Sequence, residues 1–202
     1  LRTPLTGIIS AAQLIQAETS ADELINAKAR SITDMAWHLD GEISQLLDLS
    51  KLQIGTSNDE VVAFTVDNVI SNVIDAVQAA ATAKNLALTV RIDPSIGVPV
   101  KGMAQSLRSV LINLVGNAIK FTDTGRVDVS AEATETSDAR YVVRFRVSDT
   151  GIGIPDEHLP KIFEPFYQVE RGTNRKYGGT GLGMAISKEH VEIGRASCRE
   201  RV

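Results

Sequence analysis

The sequence predicts an α+β protein in two parts, an N-terminal antiparallel helical hairpin followed by an α/β sandwich. Three observations carry that reading. Apolar residues recur at helical and heptad spacing through residues 1–52, a small polar run interrupts them at 55–60, and helical and strand periodicities alternate from there on. The 202 residues are 43% hydrophobic and 23% charged, which suits a globular chain and excludes disorder and fibrous repeats. A net charge of −4 provides no bulk positive field for nucleic acid or an anionic membrane, so any phosphate binding has to be local. The single cysteine, Cys198, can close no internal disulfide, as in a reducing compartment. No apolar run approaches the roughly 18 residues of a membrane span.

Along the chain, Leu5, Ile8, Ile9, Ala12 and Ile15 follow helical spacing. Pro4 removes a backbone donor inside that stripe, so a kink or bulge is expected there. A second helix reads over 29–52, where Ile32, Leu39 and Leu46 fall seven apart and Ala36 and Ile43 form an interleaved row, a heptad seam. With a turn at 19–22 the two helices make a hairpin. Its apolar face is buried within the chain or, preferentially, by a second copy in a four-helix bundle. The small polar residues 55–60 set a domain boundary. Beyond it come a short strand (61–65), a helix (67–85) on Val69, Ile70, Val73, Ile74 and Val77, and a strand alternating through Leu86, Leu88, Val90 and Ile92. A helix over 104–121 carries a core-facing stripe, a strand pair follows at 126–133 and 140–148, and a last helix starts near Leu182. The helices are expected on one face of a largely antiparallel sheet. Leu1 is preceded by no initiator Met and residues 193–202 show no helical or strand period, so a fragment with an anomalous tail is expected, the second domain running over 61–192.

Three features carry chemistry. Asn113, Asn117 and Lys120 lie at i, i+4 and i+7 of the 104–121 helix, a polar stripe that either is solvated or converges on a ligand. Asparagine offers an oxygen to a hard cation and an amide donor to phosphate, and lysine a point charge. Asp149 continues the parity of Tyr141, Val143, Phe145 and Val147, which aims its carboxylate at the buried side, ahead of a loop whose Gly151 and Gly153 admit a flat group. Such an aspartate either receives a purine amino group or caps its own loop. Finally, Gly178, Gly179, Thr180, Gly181, Leu182 and Gly183 lead into a helix, a phosphate cradle that is neither a P-loop nor a Rossmann turn. Before it, residues 171–177 read as a basic lid whose Arg175 and Lys176 can reach a triphosphate.

In this order the motifs resemble those of sensor histidine kinases of two-component signalling. Leu1 to Ile8 (L-R-T-P-L-T-G-I) resembles the end of the family's H box, 46–52 the end of its second dimerisation helix, and 113–122 (N-L-V-G-N-A-I-K-F-T) the N box. Residues 147–155 (V-S-D-T-G-I-G-I-P) are similar to the G1 box, 161–168 to the F box and 178–188 to the G2 box. The resemblance covers residues 1 to about 192.

It implies a dimerisation and phosphotransfer hairpin over 1–54 and an ATP-binding domain of the kind shared with Hsp90, MutL and DNA gyrase. It implies Mg²⁺ on Asn117, with Asn113 and Lys120 at the triphosphate, and Asp149 on the adenine amino group, flanked by Gly151 and Gly153. Gly179, Thr180, Gly181, Leu182 and Gly183 would hold phosphates together with Arg175, Lys176 and Tyr177 of the lid, and Phe163 and Phe166 would anchor that lid. Thr3 matches a threonine that assists the phosphatase reaction. The implied activity is ATP-dependent autophosphorylation of a histidine and transfer to an aspartate on a response-regulator receiver domain. The implied partners are a second copy and that receiver, with no nucleic acid and no membrane segment in these residues. The implied place is the cytoplasmic side, with the parent anchored in a membrane or free of one. Two other functions stay open, another ATPase of the superfamily and a non-catalytic nucleotide-binding dimerisation module.

Three departures from the family pattern stand out. Its phosphorylated histidine would precede Leu1 by two residues, and His38, His158 and His190 lack the flanking motif, so these residues are not expected to autophosphorylate. Met103 follows Gly102 where an aspartate is frequent, costing a helix cap of about 1 kcal/mol. The family's final strands are missing after the last helix, so an uncovered sheet edge and marginal stability are expected.

Overall fold

The computed structural model describes residues 2–18, 23–54, 60–135, 141–169 and 179–197. They divide into two compact units, Leu1–Ile54 and Gly55–Val202.

The first unit is a pair of helices, α1 (Arg2–Glu18) and α2 (Glu23–Ile54). The expected turn at 19–22 lies outside the described residues. Helix α1 runs from Arg2 through Pro4 to Glu18 without a break in its helical backbone. Helix α2 starts six residues earlier than its periodicity indicates. Leu5 and Ile9 of α1 bury against Ala36, with Ile43 half-buried beside them. The two rows of the seam therefore divide. Ala29, Ala36 and Ile43, seven apart, face the partner helix, whereas Ile32, Leu39 and Leu46 stay 40–47% exposed. Ile8 and Ile15 of α1 and Ile25 of α2 are exposed as well. Two helices can cover only one stripe of each other, and the second stripe stays open.

The second unit opens with β1 (Val62–Phe64), followed by α3 (Val66–Ala83), β2 (Ala87–Ile92), β3 (Val100–Gly102) and α4 (Ala104–Phe121). It closes with β4 (Arg126–Glu135), β5 (Tyr141–Asp149) and α5 (Gly183–Ser197). Thr65 caps α3, its hydroxyl accepting from the Asn68 N–H. Asn85, in the left-handed region at φ 54°, ends that helix. Its N–H donates to the Thr82 carbonyl and that of Leu86 to Ala81, a Schellman closure. Sequence periodicity carried this helix two residues too far, because an apolar pattern does not register a left-handed cap.

Strands β1 and β3 pair antiparallel by themselves, while β2, β4 and β5 form a second sheet in that order. Strand β2 lies parallel to β4, with Ala87 opposite Arg126, and β4 antiparallel to β5, with Val127 opposite Asp149. The parallel pair departs from simple strand-to-strand antiparallel pairing. The connection between β2 and β4 contains a whole helix, α4, and such a crossover returns the chain in the same direction. Strand β3 and the short 3-10 turn Pro94–Ile96 are too brief to leave a period.

The core gathers Val66, Ile70, Val73 and Ala81 of α3, Leu111, Val115 and Ile119 of α4, and Val127, Val129 and Ala131 of β4. Alternate residues of β4 face outward, where Asp128 accepts from Thr89 and pairs with Arg126. Helix α5 continues to Ser197, so the first residues of the expected anomalous tail are helical backbone, contrary to the sequence reading.

Candidate functional site

Helix α4 begins at Met103, which provides no side-chain cap, as expected from the missing aspartate. Its polar stripe is half-buried and meets α5. Asn113 Nδ2 donates to Ser187 Oγ at 2.9 Å, and Asn117 Nδ2 to Asn113 Oδ1 at 3.5 Å. Both asparagine amides also lie 3.8 Å from the Met184 sulfur. Gly183, the first residue of α5, packs so tightly on Asn113 that a Cβ there would overlap Asn113 Oδ1. Ser106 Oγ and His190 Nδ1, 2.7 Å apart, tie the start of α4 to the middle of α5.

The glycine turn before α5 reaches the end of the same stripe. A Cβ on Gly179 would stand 2.9 Å from Lys120 Nζ. Burial pushes the Lys120 ammonium below the usual lysine range, and its charge sits 5.0 Å above the Phe121 ring centre. Gly181 lies in the left-handed region at φ 73°, and a Cβ there would also stand 2.8 Å from the Phe166 and Tyr167 backbone, so glycine is required twice over. Thr180 Oγ1 accepts from the Leu182 N–H at 3.1 Å. Leu182 itself is 1% exposed, so its side chain anchors the turn in the core and only its backbone belongs to the site.

The loop after β5 closes the other side. Asp149 is exposed, which corrects the buried carboxylate expected from strand parity: it stands opposite Val127 in the ladder but is the last residue of β5. Its Oδ1 accepts from the Gly151 N–H at 2.9 Å, the self-capping arrangement. The Ile152 N–H donates to the Phe121 carbonyl at 3.3 Å, joining this loop to the end of α4. Gly151 stands against the same carbonyl, leaving no space for a side chain, whereas Gly153 at φ 68° faces open space.

Phe163 and Phe166 are exposed at 42% and 62%. Phe166 has φ 64°, and its N–H donates to the Gly181 carbonyl at 3.1 Å. Gln168 Nε2 reaches the Gly179 carbonyl at 2.6 Å, and His158 Nδ1 is 2.7 Å from the Tyr167 hydroxyl. Arg175, Lys176 and Tyr177 lie outside the described residues, as does the side chain of Thr3, whose backbone is in α1.

Sequence reasoning missed Ser187, Gln168, Tyr167 and Lys84. Ser187 alone left a signal, a small polar residue one helical turn after Gly183. Among the described residues no group of three or more His, Cys, Asp or Glu gathers as a metal site. The Asn117 side chain carries an amide oxygen, a donor type suited to a hard cation.

A polar helical stripe closed by a glycine turn at a helix N-terminus, beside an aspartate-glycine loop, defines a nucleotide-type site on an α/β sandwich. The family model described as histidine kinase-, DNA gyrase B- and HSP90-like ATPase matches residues 102–201, and the His kinase A phospho-acceptor domain matches residues 1–55. The chain belongs to the sensor histidine kinases.

It is 36% identical over 204 residues to the sensor histidine kinase AruS of Pseudomonas aeruginosa, an alignment covering 100% of this chain and 20% of that protein. The signal transduction histidine-protein kinase BarA of Escherichia coli is 33% identical over 191 residues, with 95% and 21% covered. Hybrid signal transduction histidine kinase L of Dictyostelium discoideum is 34% identical over 193 residues, with 96% and 11% covered. The chain thus spans about a fifth or less of the length of these curated relatives. Among solved structures, full-length ShkA in complex with AMPPNP superposes with TM-score 0.74 at 28% identity, covering 95% of this chain and 38% of that one. The nucleotide-free catalytic domain of histidine kinase ThkA gives 0.56 at 29% identity, covering 67% and 82%.

Proposed function

We propose that this chain is the ATP-dependent core of a protein-histidine kinase. Its second unit binds Mg-ATP, and its hairpin pairs with a second copy. The phosphoryl group passes to a phospho-acceptor histidine that these 202 residues do not include, and from there to an aspartate on a response-regulator receiver domain. The convergence of Asn113, Asn117 and Lys120 with the Gly179–Gly183 turn carries the nucleotide reading. ShkA, which was solved with an ATP analogue, supports it.

In this reading Asp149 accepts the adenine amino group. Gly151 orients one carboxylate oxygen by donating to it, which leaves the other for the base. The backbone amides of 179–183 and the Lys120 ammonium bind the phosphates, with Arg175, Lys176 and Tyr177 closing from the lid. Lys120 is partly shielded from solvent, which favours its charge meeting an anion. Asn113 Nδ2 is already used on Ser187, which makes Asn113 a spacer that fixes Asn117. Asn117 supplies the amide oxygen for Mg²⁺, and the cation, when bound, neutralises phosphate charge during transfer. Thr3 is assigned the phosphatase-assisting role.

The test is calorimetric titration of Mg-ATP into this chain and into Asp149→Asn. Binding in the parent and a loss of at least about tenfold in the variant are expected, the equivalent of one charge-assisted hydrogen bond. Equal affinities, or no binding to the parent, would overturn the nucleotide assignment.

A further inference from the structure

Lys84 belongs to none of the motifs, yet its ammonium sits at the end of α4. It is the C-cap residue of α3, and its Nζ donates to the carbonyls of Ile119 at 2.9 Å, Lys120 at 2.7 Å and Thr122 at 3.1 Å. A helix leaves its last carbonyls without intrahelical partners, and a cation there also meets the negative end of the helix dipole. Three donors of one ammonium meet three carbonyls of one terminal turn.

That turn is the junction of the candidate site. It carries Lys120, and it contains the Phe121 carbonyl, which accepts from Ile152 and against which Gly151 is packed. The same junction holds Thr122, wholly buried, whose hydroxyl has no partner among the described residues, while its carbonyl accepts from Lys84.

We infer that Lys84 is a positioning residue: it holds the terminal turn of α4, and so fixes the separation between the Asn113–Asn117–Lys120 stripe and the Asp149–Gly151 loop. The role rests on the nucleotide-site reading above, but the junction it holds is present without ligand. Arginine is a poor substitute, since a planar fork cannot converge three donors on carbonyls that wrap around a point.

The experiment compares the parent with Lys84→Met and with Val73→Ala, a core change on α3 that lowers stability away from the site. Two quantities are read on each folded protein, the Mg-ATP Kd and the exchange rate of the Ile152 amide without nucleotide. Lys84→Met is expected to raise both by about tenfold, while Val73→Ala leaves Kd within about twofold. Should Lys84→Met fail to fold, Lys84→Arg replaces it, with the same direction expected. Unchanged Kd and unchanged Ile152 exchange in the lysine variant, or equal losses in Val73→Ala, overturn the inference. A parent that does not bind Mg-ATP refutes the nucleotide reading instead, and the Ile152 exchange rate then still decides whether Lys84 holds the loop.

Discussion

Lys120 illustrates how a site residue can work against the fold that carries it. Burial disfavours its charged form, so the folded pKa lies below the unfolded lysine value. The unfolded chain therefore holds its proton more tightly in the window between the two, and stability rises with pH through that window toward the ordinary lysine value of 10.5. Below it, the folded chain carries the desolvation penalty in full. Lys120→Met removes the penalty and the ligand contact together. The variant is expected to melt at a higher temperature than the parent at neutral pH, to lose the alkaline gain in stability, and to bind Mg-ATP at least about tenfold more weakly. Scanning calorimetry across pH, with a parallel titration, checks all three, and a lower melting temperature would contradict the account. Residue types and spacing single out Asn113, Asn117 and Lys120 as candidates. The partners that set their geometry, Ser187, Met184 and Gly183, lie about 70 residues downstream, where no local pattern connects them.

At the scale of elements, helix termini decide more than propensities. Helix α3 has both ends closed by its own sequence, Thr65 at the start and the Asn85 turn at the finish. Helix α4 has neither. Met103 leaves its first N–H groups without a side-chain acceptor, and its last carbonyls are served from another helix by Lys84. Met103→Asp should restore both the cap and a favourable charge at the dipole's positive end, raising stability by about 1 kcal/mol in urea titrations. No gain would mean that the Met103 side chain supplies packing of similar worth. The strand elements show the converse limit. Strands β4 and β5 are long and periodic and were readable, while β3 spans three residues. Asp149 keeps the register of buried Val127 opposite it yet is exposed, because strand parity gives a face and not the cover over it.

For the whole molecule, the hairpin leaves a heptad row of Ile25, Ile32, Leu39 and Leu46 exposed along α2, with Ile8 and Ile15 on α1. Exposed apolar rows of this length call for a cover, and a second copy supplies the complementary stripe by symmetry. Leu39→Glu is expected to convert a dimer into a monomer in sedimentation equilibrium while leaving Mg-ATP affinity within about twofold, since the two compact units have separate cores. A parent that is monomeric at micromolar concentration would remove the dimer from the proposal.

The amino-acid sequence alone determined the order of hairpin and sandwich and nearly every long helix and strand, and it named the residue types of the candidate nucleotide site. Each of those depends on a period or a short motif, which is local information. Only the tertiary structure decided that one heptad row turns inward and the other outward, that β2 runs parallel to β4, that Asp149 is exposed and caps its own loop, and that Lys84 closes α4. These outcomes depend on which distant segment arrives next to which, and that is settled by burying the two cores and satisfying the backbone at their edges, a global balance that a local pattern does not contain.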